Sequence, residues 1–112
     1  MRLSKLAAFA VIALSASAPT AYAQWYAGGS LHRANGAQWK AATSANRLAT
    51  SADFATKILG ETRVQRMGSI EGVKPYARQL MGCVDETVGG AAGNALDIAE
   101  IAAMCATLLK WR

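Results

Sequence analysis

Apolar residues recur at steps of three and four along much of the chain after residue 35, the spacing of one helix face. The first such segment follows Asn35-Gly36-Ala37-Gln38, where an Asn and a Gln three residues later form a capping-box pattern. A row of mostly alanine positions continues from there to Leu59, and Gly60 provides a stop. These signals predict a first helix that ends at Leu59 and has a face of small residues.

Two more helices are predicted further along the chain. Segment 61–73 contains two glycines and no clear period, so it is predicted to be a connector with about one helical turn. Lys74-Pro75 opens the second helix, which runs to Val88, because proline is well tolerated in a first turn. Glycines at positions 89, 90 and 93 then break the pattern, and Asn94 is expected to cap a last helix over 95–111.

The last helix is so apolar that we expect it at the centre of the molecule, with Asp97, Glu100 and Thr107 on one narrow polar stripe. No run of alternating β-branched residues indicates a strand. The sequence therefore predicts an all-α fold, a small bundle of three to four helices.

The beginning of the chain has the pattern of a signal peptide. Arg2 and Lys5 precede an apolar run of 11 residues, and Ala21-Tyr22-Ala23 fits a cleavage site. The run is shorter than the roughly 20 residues that a membrane-spanning helix needs. We therefore expect a signal peptide at 1–23, a single small helical domain at 24–112, and a periplasmic or secreted bacterial protein without a membrane span in its mature form.

The charge of the mature chain is modest. Removal of Arg2 and Lys5 lowers the formal net charge from +5 to +3. The remaining basic residues are scattered, and Arg63, Arg66 and Lys74 belong to one loose group with Arg78. Binding to nucleic acid requires a denser basic surface or a recognisable module, so no nucleic-acid partner is expected.

The only two cysteines, Cys83 and Cys105, lie on the two predicted helices that flank the glycine-rich break. Export and an even cysteine count favour an intrachain disulfide, while an intermolecular bond stays open. One difficulty is axial register: with helix boundaries at Val88 and Ala95, the cysteines are offset by about 7–8 Å along the helix axes. A metal site would need more ligands than the two thiols and His32, and the C-x-x-C spacing of redox pairs does not occur.

No pattern of catalytic residues emerges. His32 is the single histidine, and Ser30 and Asp53 as its partners lack any catalytic sequence context. Gly89 to Gly93 lacks the lysine of a phosphate-binding loop. We therefore expect a protein that is not an enzyme and has no cofactor and no metal.

Large aromatic residues near the mature N-terminus are candidates for partner contact. Trp25, Tyr26, His32 and Trp39 either pack onto the helices or form an exposed apolar surface. Both interpretations stay open at this point, and these four residues are the predicted contact set.

Several short stretches resemble a pattern shared by a group of small, uncharacterised exported bacterial proteins. The matching stretches cover about a third of the mature chain, and they are Gly29-Ser30-Leu31-His32, Gln38-Trp39-Lys40-Ala41-Ala42, Ala45-Asn46-Arg47-Leu48-Ala49-Thr50 and Ala52-Asp53, with Val84-Asp85-Glu86 as a weaker extension. The resemblance implies no catalytic residues. In size, export and single disulfide the chain is also similar to periplasmic acid-stress chaperones of the HdeA type, a likeness of architecture alone.

Two functional hypotheses follow. The first is a periplasmic protein that acts by protein binding, chaperone-like in envelope stress, with unfolded clients or one protein as partner. The second is an inhibitor or immunity protein directed against a secreted toxin or hydrolase. Formation of a homodimer is compatible with either hypothesis.

Overall fold

The structure is a computed structural model and describes residues 24–111. The predicted signal peptide at 1–23 lies outside the described residues. Within the described part of the chain there are five α-helices and two short 3-10 helices. No strand occurs there, although one isolated antiparallel bridge joins Asn35 and Asp97. The predicted all-α fold with one disulfide is confirmed, with five α-helices where three to four were expected.

The predicted first helix is in fact two helices, α1 (Gly36–Ala41) and α2 (Ser44–Leu59). The capping box is confirmed, because the Asn35 side chain accepts from the Gln38 backbone N–H at 2.8 Å and the Gln38 side chain accepts from the Asn35 N–H at 2.9 Å. The break arises because Thr43 is a second N-cap, whose hydroxyl accepts from the Asn46 N–H at 3.1 Å. α2 ends where predicted, at Leu59, and its C-cap is Gly60, whose φ is +92°.

The connector contains more helix than predicted. α3 (Glu61–Arg66) follows Gly60 at once, and a first 3-10 helix (Ile70–Val73) leads into α4 (Lys74–Thr87). Pro75 lies in the first turn of α4 as predicted. α3 packs beside the C-terminal half of α2, and side chains of both helices line a surface notch.

The central helix is α4. It packs against α2 on one side and against α5 (Ile98–Leu108) on the other. The prediction that the last helix lies at the centre is wrong, because Met104 and Leu108 on α5 are 46% and 65% exposed. The fully buried core residues come from most of the elements; those with 0% exposure are Trp39, Thr50, Ser51, Ala55, Val73, Ala77, Leu80, Val84, Val88, Ile98, Cys105 and Ala106.

The glycine-rich break holds α1 in place. Residues Ala91–Ala95 form the second 3-10 helix, and the Gly36 N–H donates to the Leu96 carbonyl at 2.9 Å. A Cβ atom on Gly36 would overlap the carbonyl oxygen of Gly93, so the two backbones approach as closely as glycine alone allows. The break is therefore a docking surface for α1 as well as a turn between helices.

The disulfide is intrachain, with Cys83 and Cys105 bonded and their Cα atoms 6.0 Å apart. The N-cap of α5 is Asp97, which accepts from the Glu100 N–H at 3.1 Å, whereas Asn94 was predicted for this role and lies in the second 3-10 helix. Since α5 begins three residues later than expected and α4 ends one residue earlier, at Thr87, the axial offset of the cysteines shrinks to about three residues, or roughly 4.5 Å. This shift resolves the register difficulty seen in the sequence.

Candidate functional site

The first described residues, 24–34, form an N-terminal segment that lies along α2. Its backbone is held by polar side chains that share one face of that helix. The Asn46 carboxamide oxygen accepts from the Ser30 N–H at 2.9 Å, and its NH₂ group donates to the Ser30 hydroxyl, also at 2.9 Å. One turn later, the Thr50 hydroxyl accepts from the Leu31 N–H at 3.2 Å. These contacts satisfy backbone groups that no helix or strand would otherwise pair.

His32 continues this row of contacts. Its Nε2 atom lies 2.8 Å from an oxygen of Asp53, and its ring packs edge-on against Phe54, with centroids 5.5 Å apart. Both side chains are exposed, at 42% for His32 and 48% for Asp53. A contact between two exposed charged or polar side chains contributes little to stability, and its main effect is to orient the imidazole. His32, one of the four predicted contact residues, is therefore at the surface.

Gly29 explains how the segment reaches α2 so closely. A Cβ atom at this position would lie 2.6 Å from the backbone nitrogen of Thr50. We call the set of contacts made by Asn46, Thr50 and Asp53 with the N-terminal segment the polar clamp. The residues of the polar clamp and Gly29 lie in stretches 29–32, 45–50 and 52–53, which the structure brings together.

Trp25 is half-buried and attaches the start of the segment to residues that are far away along the chain. Its indole N–H donates to a Glu71 carboxylate oxygen at 2.8 Å, and the Lys74 ammonium lies 5.2 Å from the ring centroid. The ring of Tyr26 meets it edge-to-face at 5.6 Å. Both aromatic residues are half-buried, so they combine packing with a partly accessible surface.

Trp39 is a core residue with 0% exposure, so its prediction as a surface contact is wrong. Its indole N–H donates to the Asp85 carboxylate at 2.7 Å, and the same oxygen accepts from the Arg47 guanidinium at 3.2 Å. Gly36 at the start of α1 contacts the glycine-rich break, and Trp39, one turn further along α1, is buried in the core. Sequence periodicity did not reveal this, because the contact joins residues far apart in the chain.

One concave surface of the described residues is an open groove between α2 and α3, which we call the α2–α3 groove. It encloses about 760 Å³. Its lining combines apolar and charged side chains, and the lining residues are Asp53, Thr56, Lys57, Gly60, Glu61, Val64, Gln65 and Ile70. Asp53 belongs to both the groove and the polar clamp, so His32 contacts a side chain that lines the groove.

Chemically, the α2–α3 groove is suited to binding. Val64 and Ile70 provide apolar surface, while the Asp53 and Glu61 carboxylates and the Lys57 ammonium provide charge around it. Among residues 24–111, no group of three or more potential metal ligands comes together. The sequence did not indicate this groove because segment 61–73 is predicted to be a connector. The available signal was that Val64 and Ile70 belong to a set of four apolar residues at steps of three, 64, 67, 70 and 73.

Over residues 24–111, no helix combines the length and the hydropathy needed to cross a membrane. Comparisons with protein-family models, with curated proteins and with solved structures found no match.

Proposed function

We propose that this protein is exported to the periplasm and acts there as a chaperone-like protein in envelope stress, by binding unfolded polypeptide segments in the α2–α3 groove. The observation that carries the proposal is the groove itself, which is open, apolar at Val64 and Ile70 and charged around them. An intrachain disulfide is compatible with this location, because paired thiols persist in oxidising compartments.

The shape of the groove favours a polypeptide as its ligand. Its volume of about 760 Å³ would also suit a small molecule, because small-molecule sites enclose roughly 300–1,000 Å³. The openness of the groove is what favours a polypeptide. The groove is an open notch on the surface, so a chain can lie in it with apolar side chains against Val64 and Ile70 and continue beyond the notch. The charged groups of Lys57 and Glu61 then meet polar groups of the same segment, as at the rim of protein interfaces.

The test is suppression of aggregation of an acid- or heat-unfolded model protein by the mature chain, over a range of pH. Val64→Asp adds a charge inside the groove, and its matched control, Thr62→Asp, adds the same charge at an exposed position of the same helix. We expect wild type and control to suppress aggregation and the Val64 variant to lose most of this effect.

A second variant guards against a folding defect at half-buried Val64. Gln65→Trp fills the groove from an exposed position, and Thr62→Trp places the same side chain elsewhere on α3. Only the first is expected to weaken suppression. Absence of suppression by the wild-type protein at every pH would remove the proposal.

The second candidate is an inhibitor or immunity protein for a secreted toxin or hydrolase. The disulfide and the polar clamp favour it, because a cross-linked surface loses little conformational freedom when it binds one rigid partner. Affinity capture from periplasmic extract distinguishes the two: one native protein in stoichiometric amount supports inhibition, whereas a mixture of unfolded proteins supports the chaperone-like function.

A further inference from the structure

The sequence contains a single Asn–Gly pair, Asn35-Gly36, at the point where α1 meets the glycine-rich break. An asparagine before glycine is chemically reactive, because the glycine nitrogen can attack the side-chain carboxamide and no Cβ on the glycine shields it. The other two asparagines, Asn46 and Asn94, are followed by residues with side chains. Asn35 is therefore the asparagine most prone to this reaction.

We propose that Asn35 is a site of spontaneous deamidation, which the fold suppresses and unfolding exposes. The Gly36 nitrogen attacks Cγ of Asn35 and loses its proton, and the carboxamide nitrogen leaves as ammonia. Water then opens the resulting five-membered succinimide. Opening at Cγ gives aspartate, and opening at the backbone carbonyl gives isoaspartate, whose main chain runs through the former side chain. The net reaction consumes one water, releases one ammonia and involves no oxidation or reduction.

The conformation of Asn35 opposes ring closure. The ring can form only if the Gly36 nitrogen turns towards the side chain and nearly eclipses Cβ about the Cα–C bond. Asn35 has ψ 178°, which places this nitrogen opposite the backbone nitrogen of Asn35 and staggered with respect to Cβ. The carboxamide is held as well, because its oxygen accepts from the Gln38 N–H at 2.8 Å. The two reacting groups are therefore fixed in an unreactive arrangement.

The contact of Gly36 with the glycine-rich break prevents the required rotation. The Gly36 N–H donates to the Leu96 carbonyl at 2.9 Å, and the Ile98 N–H donates to the Ala34 carbonyl at 3.0 Å. Gly36 is buried, and a Cβ atom on it would overlap the Gly93 carbonyl oxygen. The peptide between residues 35 and 36 can turn only if α1 separates from the break.

This separation sets the size of the protection. It breaks the hydrogen bond from Gly36 to Leu96 and the two hydrogen bonds of the capping box between Asn35 and Gln38. Each bond changes the opening equilibrium by about two- to tenfold. The folded chain should therefore deamidate at least about tenfold more slowly than the unfolded chain.

The two products differ in their effect on the fold. Aspartate is as good an N-cap as asparagine, so the aspartate form can dock α1 as before. Isoaspartate adds one carbon atom to the main chain just before Gly36, at a contact without room for a methyl group. The isoaspartate form is expected to hold α1 less firmly and to be less stable. Prolonged unfolding therefore leaves a permanent mark on part of the protein, and this inference is independent of the proposed function.

The experiment compares the mature, disulfide-bonded chain in buffer and in urea above its unfolding midpoint, at the same mildly alkaline pH. Trypsin releases residues 34–40 as one peptide, because Arg33 and Lys40 flank its cleavage sites. Chromatography with mass spectrometry separates the asparagine, aspartate and isoaspartate forms of this peptide. We expect conversion in urea, conversion at least about tenfold slower in the folded chain, and little change at Asn46 and Asn94 in either. Equal rates in buffer and urea, or no conversion in urea, would overturn the proposal.

A variant tests whether docking of α1 provides the protection. The Lys40 ammonium donates to the Gly90 carbonyl at 3.1 Å, so Lys40→Ala removes one attachment of α1 to the break. We expect it to speed the reaction of the folded chain by about two- to fivefold and to leave the rate in urea unchanged. The control Arg78→Ala shortens an exposed basic side chain of α4 and should alter neither rate. An unchanged folded rate in Lys40→Ala would overturn the assignment of the protection to α1.

The products are tested by urea denaturation. Asn35→Asp is expected to unfold at nearly the wild-type urea concentration, and the purified isoaspartate form at a lower one. An isoaspartate form as stable as Asn35→Asp would overturn the predicted effect on the docking of α1.

Discussion

The contact between α1 and the glycine-rich break makes a quantitative prediction for Gly36→Ala. The added methyl group would overlap the Gly93 carbonyl, which belongs to the backbone and cannot turn away like a side chain. Overpacking of this kind costs about 1–3 kcal/mol. If α1 moves to relieve the overlap, the hydrogen bonds from Gly36 N–H to Leu96 and from Ile98 N–H to Ala34 weaken, at about 1 kcal/mol each.

Alanine recovers up to about 1 kcal/mol through its higher helix propensity. Because the overlap and the weakened hydrogen bonds are alternative responses to the same methyl group, the expected net loss in the free energy of unfolding is about 1–2 kcal/mol, or a fall in melting temperature of roughly 4–16 °C for a domain of this size.

The assay is urea denaturation followed by far-UV circular dichroism, with Gly82→Ala as the matched control. Gly82 is exposed within α4, and a Cβ atom there meets nothing within 4 Å. The same chemical change should therefore stabilise the protein by about 0.5–1 kcal/mol at this site. Opposite signs at the two glycines are the expected result. A Gly36 variant as stable as wild type would refute the close docking of α1 on the break.

Three further predictions concern other contacts. Asp85→Ala leaves the buried Trp39 N–H without an acceptor and should lower the free energy of unfolding by about 1–3 kcal/mol, whereas Asp85→Asn, which keeps the oxygen, should cost less; equal losses would contradict the hydrogen-bond explanation. Asn46→Ala should speed amide hydrogen exchange in residues 24–34 while α4 stays protected, and unchanged exchange would argue against the polar clamp. Reduction of the Cys83–Cys105 bond should lower the free energy of unfolding by about 3 kcal/mol in the chain-entropy picture, measured as a shift of the urea midpoint; intact-mass analysis that finds two free thiols would contradict the disulfide.

Local signals in the sequence predicted the local structure well. The capping box at Asn35, the stop at Gly60 and the proline in the first turn of α4 depend on residues within one turn of each other, and all three are confirmed. The disulfide was predictable for a different reason. Only two cysteines are present, and both occupy the helices that flank one break.

Apart from the disulfide, features that depend on contacts between residues far apart in the chain were predicted wrongly or were not predicted. The docking of α1, which carries Trp39, involves a contact of Gly36 with Gly93, which periodicity along the chain cannot indicate. The cap of α5 was misplaced because Asn94 and Asp97 are equally suitable N-cap residues. Packing decided between them, since Ile98 N–H donates to the Ala34 carbonyl and fixes where the helix begins.

The polar clamp was not predicted from the sequence for a related reason. Asn46, Thr50 and Asp53 share one face of α2, but a search for apolar periodicity treats such residues as ordinary solvated surface. Prediction of the α2–α3 groove would have required the direction that the chain takes after Gly60. The sequence predicts only that α2 stops there. The candidate site could therefore be identified only from the structure, whereas most of the helices around it were predicted from the sequence.

The central claim is that the α2–α3 groove binds unfolded polypeptide, and amide chemical-shift mapping tests it most directly. The isotope-labelled mature chain is titrated with an unlabelled, permanently unfolded model polypeptide. Binding in the groove should produce saturable shift changes that cluster on residues 53–70, and that disappear in Gln65→Trp but persist in Thr62→Trp. Shift changes confined to other surfaces, or no change at saturating polypeptide, would contradict it.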